Sequence, residues 1–232
     1  NASYRLVQTL QYWPEGTVFV SVVDPGVGSE RKSVVAKTKD GKYIVTPNNG
    51  TLTHIHLNIG IEEIREIDET KNRLPYSNDS YTFHGRDIYA FTGARLATGV
   101  ISYEEVGPKL DLEEISLLNT GEVKIENGNT IQGTIDILDV RFGNLWTNIP
   151  KEDFENLGIK YGDTVELTIN HDSRKVYSST VKYVKSFSEV NTGATLLYVN
   201  SLHKIGVAIN QGSFSKAHQV DSGYQWKVEF KK

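Results

Sequence analysis

The sequence predicts two domains of different class, an α/β half followed by an all-β half, and three observations carry this expectation. Helix-spaced and strand-like apolar runs alternate through the first half. From Gly121 onward mainly strands and turns recur. The change of pattern falls near residues 108–120, which places an α/β domain over residues 1–115 and a β-domain over residues 119–232.

The elements follow in order. Leu6, Leu10 and Trp13 stand at helical spacing, with Asn1 or Ser3 as the cap and Pro14-Glu15-Gly16 as the stop. Thr17–Val23 is β-branched and apolar and reads as a buried strand, ended by the Asp24-Pro25-Gly26-Val27-Gly28 turn. Strands are expected at Ser33–Thr38 and Tyr43–Thr46, broken by Pro47-Asn48-Asn49-Gly50. His54 and His56 read as two imidazoles on one face of a strand, without a third ligand at metal-binding spacing. Gly60–Asp68 reads as a helix end running into a strand, and residues 71–80 as a loop. Gly85–Thr98 reads as a helix with Ile88, Phe91, Ala94 and Ala97 on one face and Gly99 as terminator. In the second half, Val123–Glu126 and Thr130–Asp139 flank Asn127-Gly128-Asn129 as a hairpin. Thr164–Asn170 and Lys175–Val184 flank a His171-Asp172-Ser173-Arg174 turn, and Ala194–Val199, Lys204–Ile209 and Gln225–Phe230 supply further strands. This spacing suits a small barrel or a sandwich.

Composition narrows the function classes. The 232 residues carry a net charge of −4, so nothing favours nucleic acid or an anionic membrane as partner. No apolar run approaches a membrane span. With no cysteine, disulfides, thiolate metal sites and Cys nucleophiles are excluded. The chain also lacks methionine, so it is expected to start after a processing site, at a boundary, or inside a longer gene product. A cytoplasmic protein and an exported one whose leader has been removed are equally compatible with this composition.

Three stretches combine chemistry-bearing side chains. In the first, a strand ends in Asp24, a glycine turn follows, and Arg31 comes seven residues after the carboxylate. Ligands of open α/β sheets bind beyond strand C-termini, although an ordinary Asp-Pro-Gly turn with a solvated arginine has the same spacing. The second is Thr82-Phe83-His84-Gly85-Arg86-Asp87 at a helix start, where unpaired amides favour polar ligands. It reads equally as a histidine near a helix start with a surface Arg/Asp pair. The third runs from Asp139 through Phe142 and Asn144 to Trp146. Its rings suit stacking on a purine and its amide suits a purine edge, while a β-turn with core aromatics explains the same residues structurally.

Taken together and in order, these blocks resemble the SAM hydroxide adenosyltransferase family, the S-adenosyl-L-methionine (SAM) hydrolases that form adenosine and are related to the SAM-dependent fluorinases and chlorinases. The resemblance runs from TVFVSVVDPGVGSERKSVVAKT through YIVTPNNGTLT, TFHGRDIYAFTGARLATG and VRFGNLWTNI to VNSLHKIGVAINQGS. It implies an N-terminal α/β domain with a central sheet flanked by helices, a C-terminal β-barrel, and a homotrimer with active sites between subunits. It implies Asp24, Arg31 and His84 near the reacting carbon, Asp139 on the methionine ammonium and Asn144 on the adenine edge. It further implies Phe142 and Trp146 around the purine, Ser201 on the methionine carboxylate, and Asn210 with Gln211 presenting polar or backbone groups to adenine. Two positions depart from the halogenases: Gly85 stands where fluorinases have a serine, which favours water over halide, and Leu202 stands where they have an arginine of the carboxylate clamp. The family begins with a strand ending in Thr-Asp-Phe-Gly whose Asp binds the ribose hydroxyls. This chain has no such motif, so it is expected to lack at least one βαβ unit of ~30 residues at its start.

The implied reaction is in-line displacement at ribose C5′ by water, with SAM as substrate and no metal or redox cofactor required. Arg31 and His84 then stabilise hydroxide character, and Asp24 either accepts a proton or fixes the other two. Two alternatives stand beside it: a SAM-dependent halogenase, and a non-catalytic SAM- or nucleoside-binding protein.

Overall fold

β-branched apolar runs build the first sheet, and their burial sets which of them lie inside it. The computed structural model describes residues 1–232, which divide into two units, Asn1–Leu118 and Asn119–Lys232. The first unit opens with α1 (Ala2–Leu10), which buries Tyr4, Leu6, Val7 and Leu10. Trp13 lies beyond the helix and is exposed. Asn1 makes no side-chain cap, and Ser3 is not a cap either: its hydroxyl accepts from the His54 amide at 2.8 Å. The strands are β1 (Val18–Val20), β2 (Ser33–Thr38), β3 (Tyr43–Pro47), β4 (Ile61–Glu66) and β5 (Lys109–Leu110), in the order β1-β3-β2-β4-β5. Only the β1–β3 pairing is parallel.

Four expectations change here. β1 is three residues long rather than the buried run Thr17–Val23, and Val20, Val22 and Val23 are exposed, because β1 is an edge strand paired only to β3. His54 and His56 lie on a helix, α2 (Thr53–Asn58), not a strand. Gly60, at φ +88°, follows that helix, so the helix end precedes Gly60 and β4 begins directly after it. Gly85–Ala90 forms a π-helix that continues as α3 (Phe91–Ala97). Its wider turn rotates the inward face to Asp87, Ile88, Tyr89, Thr92 and Gly93, leaving Ala94 and Ala97 exposed. Gly99 does end the helix in the left-handed region, at φ +70°.

The second unit is a closed barrel. Its strands are β6 (Lys124–Glu126), β7 (Thr130–Asp139), β8 (Asn144–Pro150), β9 (Thr164–His171), β10 (Arg174–Tyr183), β11 (Thr195–Val199), β12 (Lys204–Ile209) and β13 (Gly223–Lys231). The order β13-β9-β10-β11-β12-β8-β7 closes through a β13–β7 pairing, which abolishes the open edges of a sandwich. β6 pairs beside β8 along the same edge of β7. The β6–β7 hairpin turns through Asn127 (φ +51°) and Gly128 (φ +69°), the left-handed pair that Asn-Gly favours. The interior is packed with Ile131, Ile135, Leu145, Ile149, Phe154, Leu167 and Phe230, among others. Two short helices, α4 (Lys151–Asn156) and α5 (Phe214–His218), and strand β8 itself have no counterpart among the expected elements.

Candidate functional site

In the first unit, β1 delivers the chain to Asp24. The turn closes through Val27 N–H to the Asp24 carbonyl at 3.3 Å and Ser29 N–H to the Gly26 carbonyl at 3.1 Å. Gly28 is left-handed at φ +79°, and a side chain there would press on the Tyr81 carbonyl oxygen. The chain then re-enters the sheet at β2, with Arg31 two residues before its first residue. The guanidinium reaches back across the turn: Nε donates to Asp24 Oδ1 at 2.7 Å, and Nη2 donates to Oδ2. This planar fork is the arrangement that a carboxylate and a guanidinium match best. It is well shielded, with side-chain exposures of 11% for Arg31 and 5% for Asp24. The Tyr89 ring lies 5.7 Å from the guanidinium carbon, and burial pushes the Tyr89 phenol up to about 12, so it keeps its proton.

His84 stands at the N-terminus of the π-helix, only 7% exposed, and neither ring nitrogen has a protein partner. Leaving such a buried polar atom unpaired costs about 1–3 kcal/mol. Gly85 next to it faces the Val22 side chain on the segment leading to Asp24. Asp24 and Arg31 are therefore in direct contact, and His84 lies on the neighbouring segment at the same end of β1.

In the second unit, one cavity of about 800 Å³ is lined by Asp139, Phe142, Asn144, Trp146, Ser201, Asn210 and Gln211, all seven of the residues expected to bind substrate. Its size suits a ligand of nucleoside dimensions. Asp139 ends β7 and Asn144 begins β8, and the two are cross-strand partners. Between them the chain reverses through Gly143, at φ +70°, whose N–H donates to the Asp139 carbonyl at 2.6 Å. A Cβ at this position would overlap the Ser213 hydroxyl. Gly143→Ala is therefore expected to destabilise the protein by about 1–3 kcal/mol, from left-handed strain and overpacking, read as a lowered denaturation midpoint. An unchanged midpoint would show that the turn relaxes freely.

Asn144 is buried, and its Nδ2 donates to the Tyr198 hydroxyl at 3.3 Å while Trp146 Nε1 donates to the same oxygen at 2.7 Å. Both lone pairs of that oxygen are thereby engaged, so the Tyr198 O–H is left to donate. Burial raises the Tyr198 phenol, which keeps that proton in place. Asn144 Oδ1 is buried and has no partner, an acceptor fixed in the cavity wall. Across the sheet, Gly206 faces Tyr198, and a side chain there would stand 2.7 Å from its ring. Asn210 Nδ2 is already committed to the Val190 carbonyl at 2.9 Å, and Gln211 takes a left-handed conformation at φ +57°. Phe142 is exposed at the cavity, and Phe187 adds a ring 5.1 Å from that of Tyr198. The sequence reading missed Tyr198 and Phe187. The only signal for Tyr198 is one aromatic in an otherwise aliphatic strand, and a core position accounts for it as well.

No cluster of three or more His, Asp or Glu side chains is placed to hold a metal ion, and no helix is long and apolar enough to cross a membrane.

Comparison with known proteins places this arrangement in a family. Residues 1–107 match the SAM hydroxide adenosyltransferase N-terminal domain, and residues 133–227 match its C-terminal domain. The chain is 35% identical over 221 residues to the (R)-S-adenosyl-L-methionine hydrolase of Methanocaldococcus jannaschii, covering 95% of this chain and 74% of that protein. It is 29% identical over 241 residues to a fluorinase of an Actinoplanes species, covering 94% and 78%. It is also similar to the crystal structure of an uncharacterized conserved protein from Thermotoga maritima, with a TM-score of 0.85 and 34% identity over 100% of this chain and 83% of that one. With both domain types matched in order over most of the chain, the chain belongs to the SAM hydroxide adenosyltransferase family.

Proposed function

We propose that this protein hydrolyses S-adenosyl-L-methionine to adenosine and L-methionine by attack of water at ribose C5′. The observation that carries the reading is the buried His84 imidazole with both nitrogens unpartnered, on a segment whose next residue, Gly85, faces Val22, two positions before Asp24 of the shielded Asp24–Arg31 fork. Halide is already an anion and needs no proton acceptor. Water does, because its pKa in bulk is about 15.7. A free buried base is therefore a feature that a hydrolase uses and a halogenase does not. Named (R)-SAM hydrolases at 29–35% identity, against fluorinases at 26–29%, support the same choice.

The step balances as follows. The water oxygen bonds to C5′, the C5′–S bond breaks, and its electron pair stays on sulfur, which becomes the neutral thioether of methionine. The water proton passes to His84. Asp24 has both oxygens turned to Arg31, so its role is to orient the guanidinium, whose remaining N–H groups face the oxygen as it gains hydroxide character. In the cavity, Asp139 holds the methionine ammonium and Ser201 its carboxylate. Phe142 and Trp146 pack on the purine, Asn144 Oδ1 accepts from the 6-amino group, and Asn210 with Gln211 present polar or backbone groups. SAM is substrate, and the chemistry needs no further cofactor.

The reading includes a homotrimer with active sites between subunits, residues 1–115 supplying the reacting groups and residues 119–232 the substrate pocket. The likeness to the SAM hydroxide adenosyltransferase family supports it. Co-expression of Arg31→Ala with Asn144→Ala chains is then expected to restore, at SAM concentrations well below the KM of Asn144→Ala, part of the activity that each alone lacks there. Failure to regain any activity in mixed oligomers would place both halves of the site on one chain.

Asn144→Ala is expected to raise KM for SAM about tenfold to a hundredfold with a smaller change in kcat, since it removes an acceptor that binds rather than reacts. An unchanged KM would remove Asn144 from the purine site. The reaction itself is tested by incubating the full-length protein with SAM, with and without chloride or fluoride. Adenosine and methionine in all cases are expected, and a halogenated nucleoside would move the protein to the halogenase branch.

A further inference from the structure

We propose that Ser33 is the positioning residue for Arg31, a hub through which Tyr89 and Glu69 hold the guanidinium in its working orientation. The proposal rests on the hydrolase reading for its effect on rate, but the hub itself is a matter of geometry. Ser33 is the first residue of β2, two positions after Arg31, and is 3% exposed. Three groups from three separate elements converge on its hydroxyl oxygen. Arg31 Nη1 lies at 3.4 Å, the Tyr89 hydroxyl of the π-helix at 3.1 Å, and Glu69 Oε1 of the loop after β4 at 2.9 Å.

Proton counting fixes the directions. A serine hydroxyl has one proton and two lone pairs. The ionised Glu69 carboxylate only accepts, so the Ser33 proton goes to Glu69. The Ser33 lone pairs then accept one N–H from Arg31 and the O–H of Tyr89, which burial keeps protonated. Every capacity of Ser33 is used, with nothing left over. Glu69 is in turn anchored by Arg73, whose Nη2 lies 3.0 Å from Oε2. Tyr89 contributes twice, through its hydroxyl to Ser33 and through its ring face beneath the guanidinium at 5.7 Å. The π-turn is what brings Tyr89 inward alongside Asp87 and Ile88.

The Asp24 fork alone takes Nε and Nη2 and leaves the guanidinium able to swing with the Asp24 side chain. The Ser33 contact on Nη1 adds a third point that fixes the plane. One donor edge is then presented to the reacting water without adjustment in the transition state, which is the condition for electrostatic preorganisation. Ser33 does not touch substrate in this account and acts only through Arg31.

The test compares Ser33→Ala, Ser33→Thr and Tyr89→Phe in the full-length protein. Ser33→Ala is expected to lower kcat about tenfold to a hundredfold with KM for SAM within about twofold, Ser33→Thr to recover most of the loss, and Tyr89→Phe to show a smaller decrease in kcat alone. Exchange of the Arg31 side-chain N–H protons with solvent, followed by NMR, is expected to accelerate in Ser33→Ala and slow again in Ser33→Thr. That readout needs no turnover: if the wild type proves inactive on SAM while the exchange pattern holds, the hydrolase reading fails and the hub stands. Wild-type kcat in Ser33→Ala overturns the proposal. So does equal loss in Ser33→Ala and Ser33→Thr, or an Arg31 exchange rate indifferent to both.

Discussion

His84→Ala is expected to lower kcat for SAM hydrolysis by about 10²–10⁴-fold, the range that a positioned general base supplies, while SAM binding measured by calorimetry stays near the wild-type value. The expectation follows from what His84 does not do. Neither of its ring nitrogens supports the fold, so its removal leaves no protein group orphaned. The same reasoning predicts a trade between stability and activity. His84→Leu places an apolar side chain of similar size in a 7% exposed site, and its thermal midpoint is expected to match or exceed that of the wild type while its activity is lost. A His84→Ala variant turning over at the wild-type rate would remove His84 from the reaction.

Arg31→Ala is expected to behave differently, losing both turnover and stability. Removing a preorganised donor to a developing anion costs about 10²–10³ in kcat. It also leaves Asp24 as an unpaired carboxylate that is only 5% exposed, and breaking a shielded ion pair from one side typically costs about 3–5 kcal/mol. The two losses separate in a double variant. Asp24→Asn with Arg31→Ala removes the orphaned charge, so it is expected to regain a large part of the lost stability and none of the activity. Denaturant unfolding of the two single variants and the double variant measures the coupling. Additive effects would mean that the fork contributes nothing as a pair.

What was legible in the sequence follows from the periodicities involved. The barrel strands were readable because one face of each points into the core, so Thr164–His171 and Lys204–Ile209 alternate or run apolar as their burial requires. The Asn127-Gly128 turn was readable because only such residues accept two left-handed conformations in succession. Strand β8 was hidden because Asn144 and Trp146, which alternate with the core residues Leu145 and Ile149, also read as ligand-binding residues in a turn. The inward face of the helix after His84 was misjudged because a regular period does not anticipate a π-turn, which moved burial from Ala94 and Ala97 to Thr92 and Gly93. β1 reads as buried because its composition is that of an interior strand, whereas burial depends on partners that the local sequence does not encode.

The candidate site divides in the same way. The residue types and order of Asp24, Arg31, His84 and the Asp139–Trp146 block were visible, as was their likeness to a family. The bidentate fork, the unpartnered imidazole and the Ser33 hub were not, because each depends on distances between segments remote in the chain. Tyr198 is the clearest case: its position in β11 marks it as core, and only the hydrogen bonds from Asn144 and Trp146 turn it into part of a cavity wall.

The most direct test of water attack at C5′ is to run the reaction of the full-length protein in ¹⁸O-labelled water and weigh the products. The account predicts adenosine carrying one ¹⁸O at its 5′ oxygen and unlabelled L-methionine. Label in methionine, or adenosine without label, would place the bond cleavage elsewhere and contradict the roles given to His84 and Arg31.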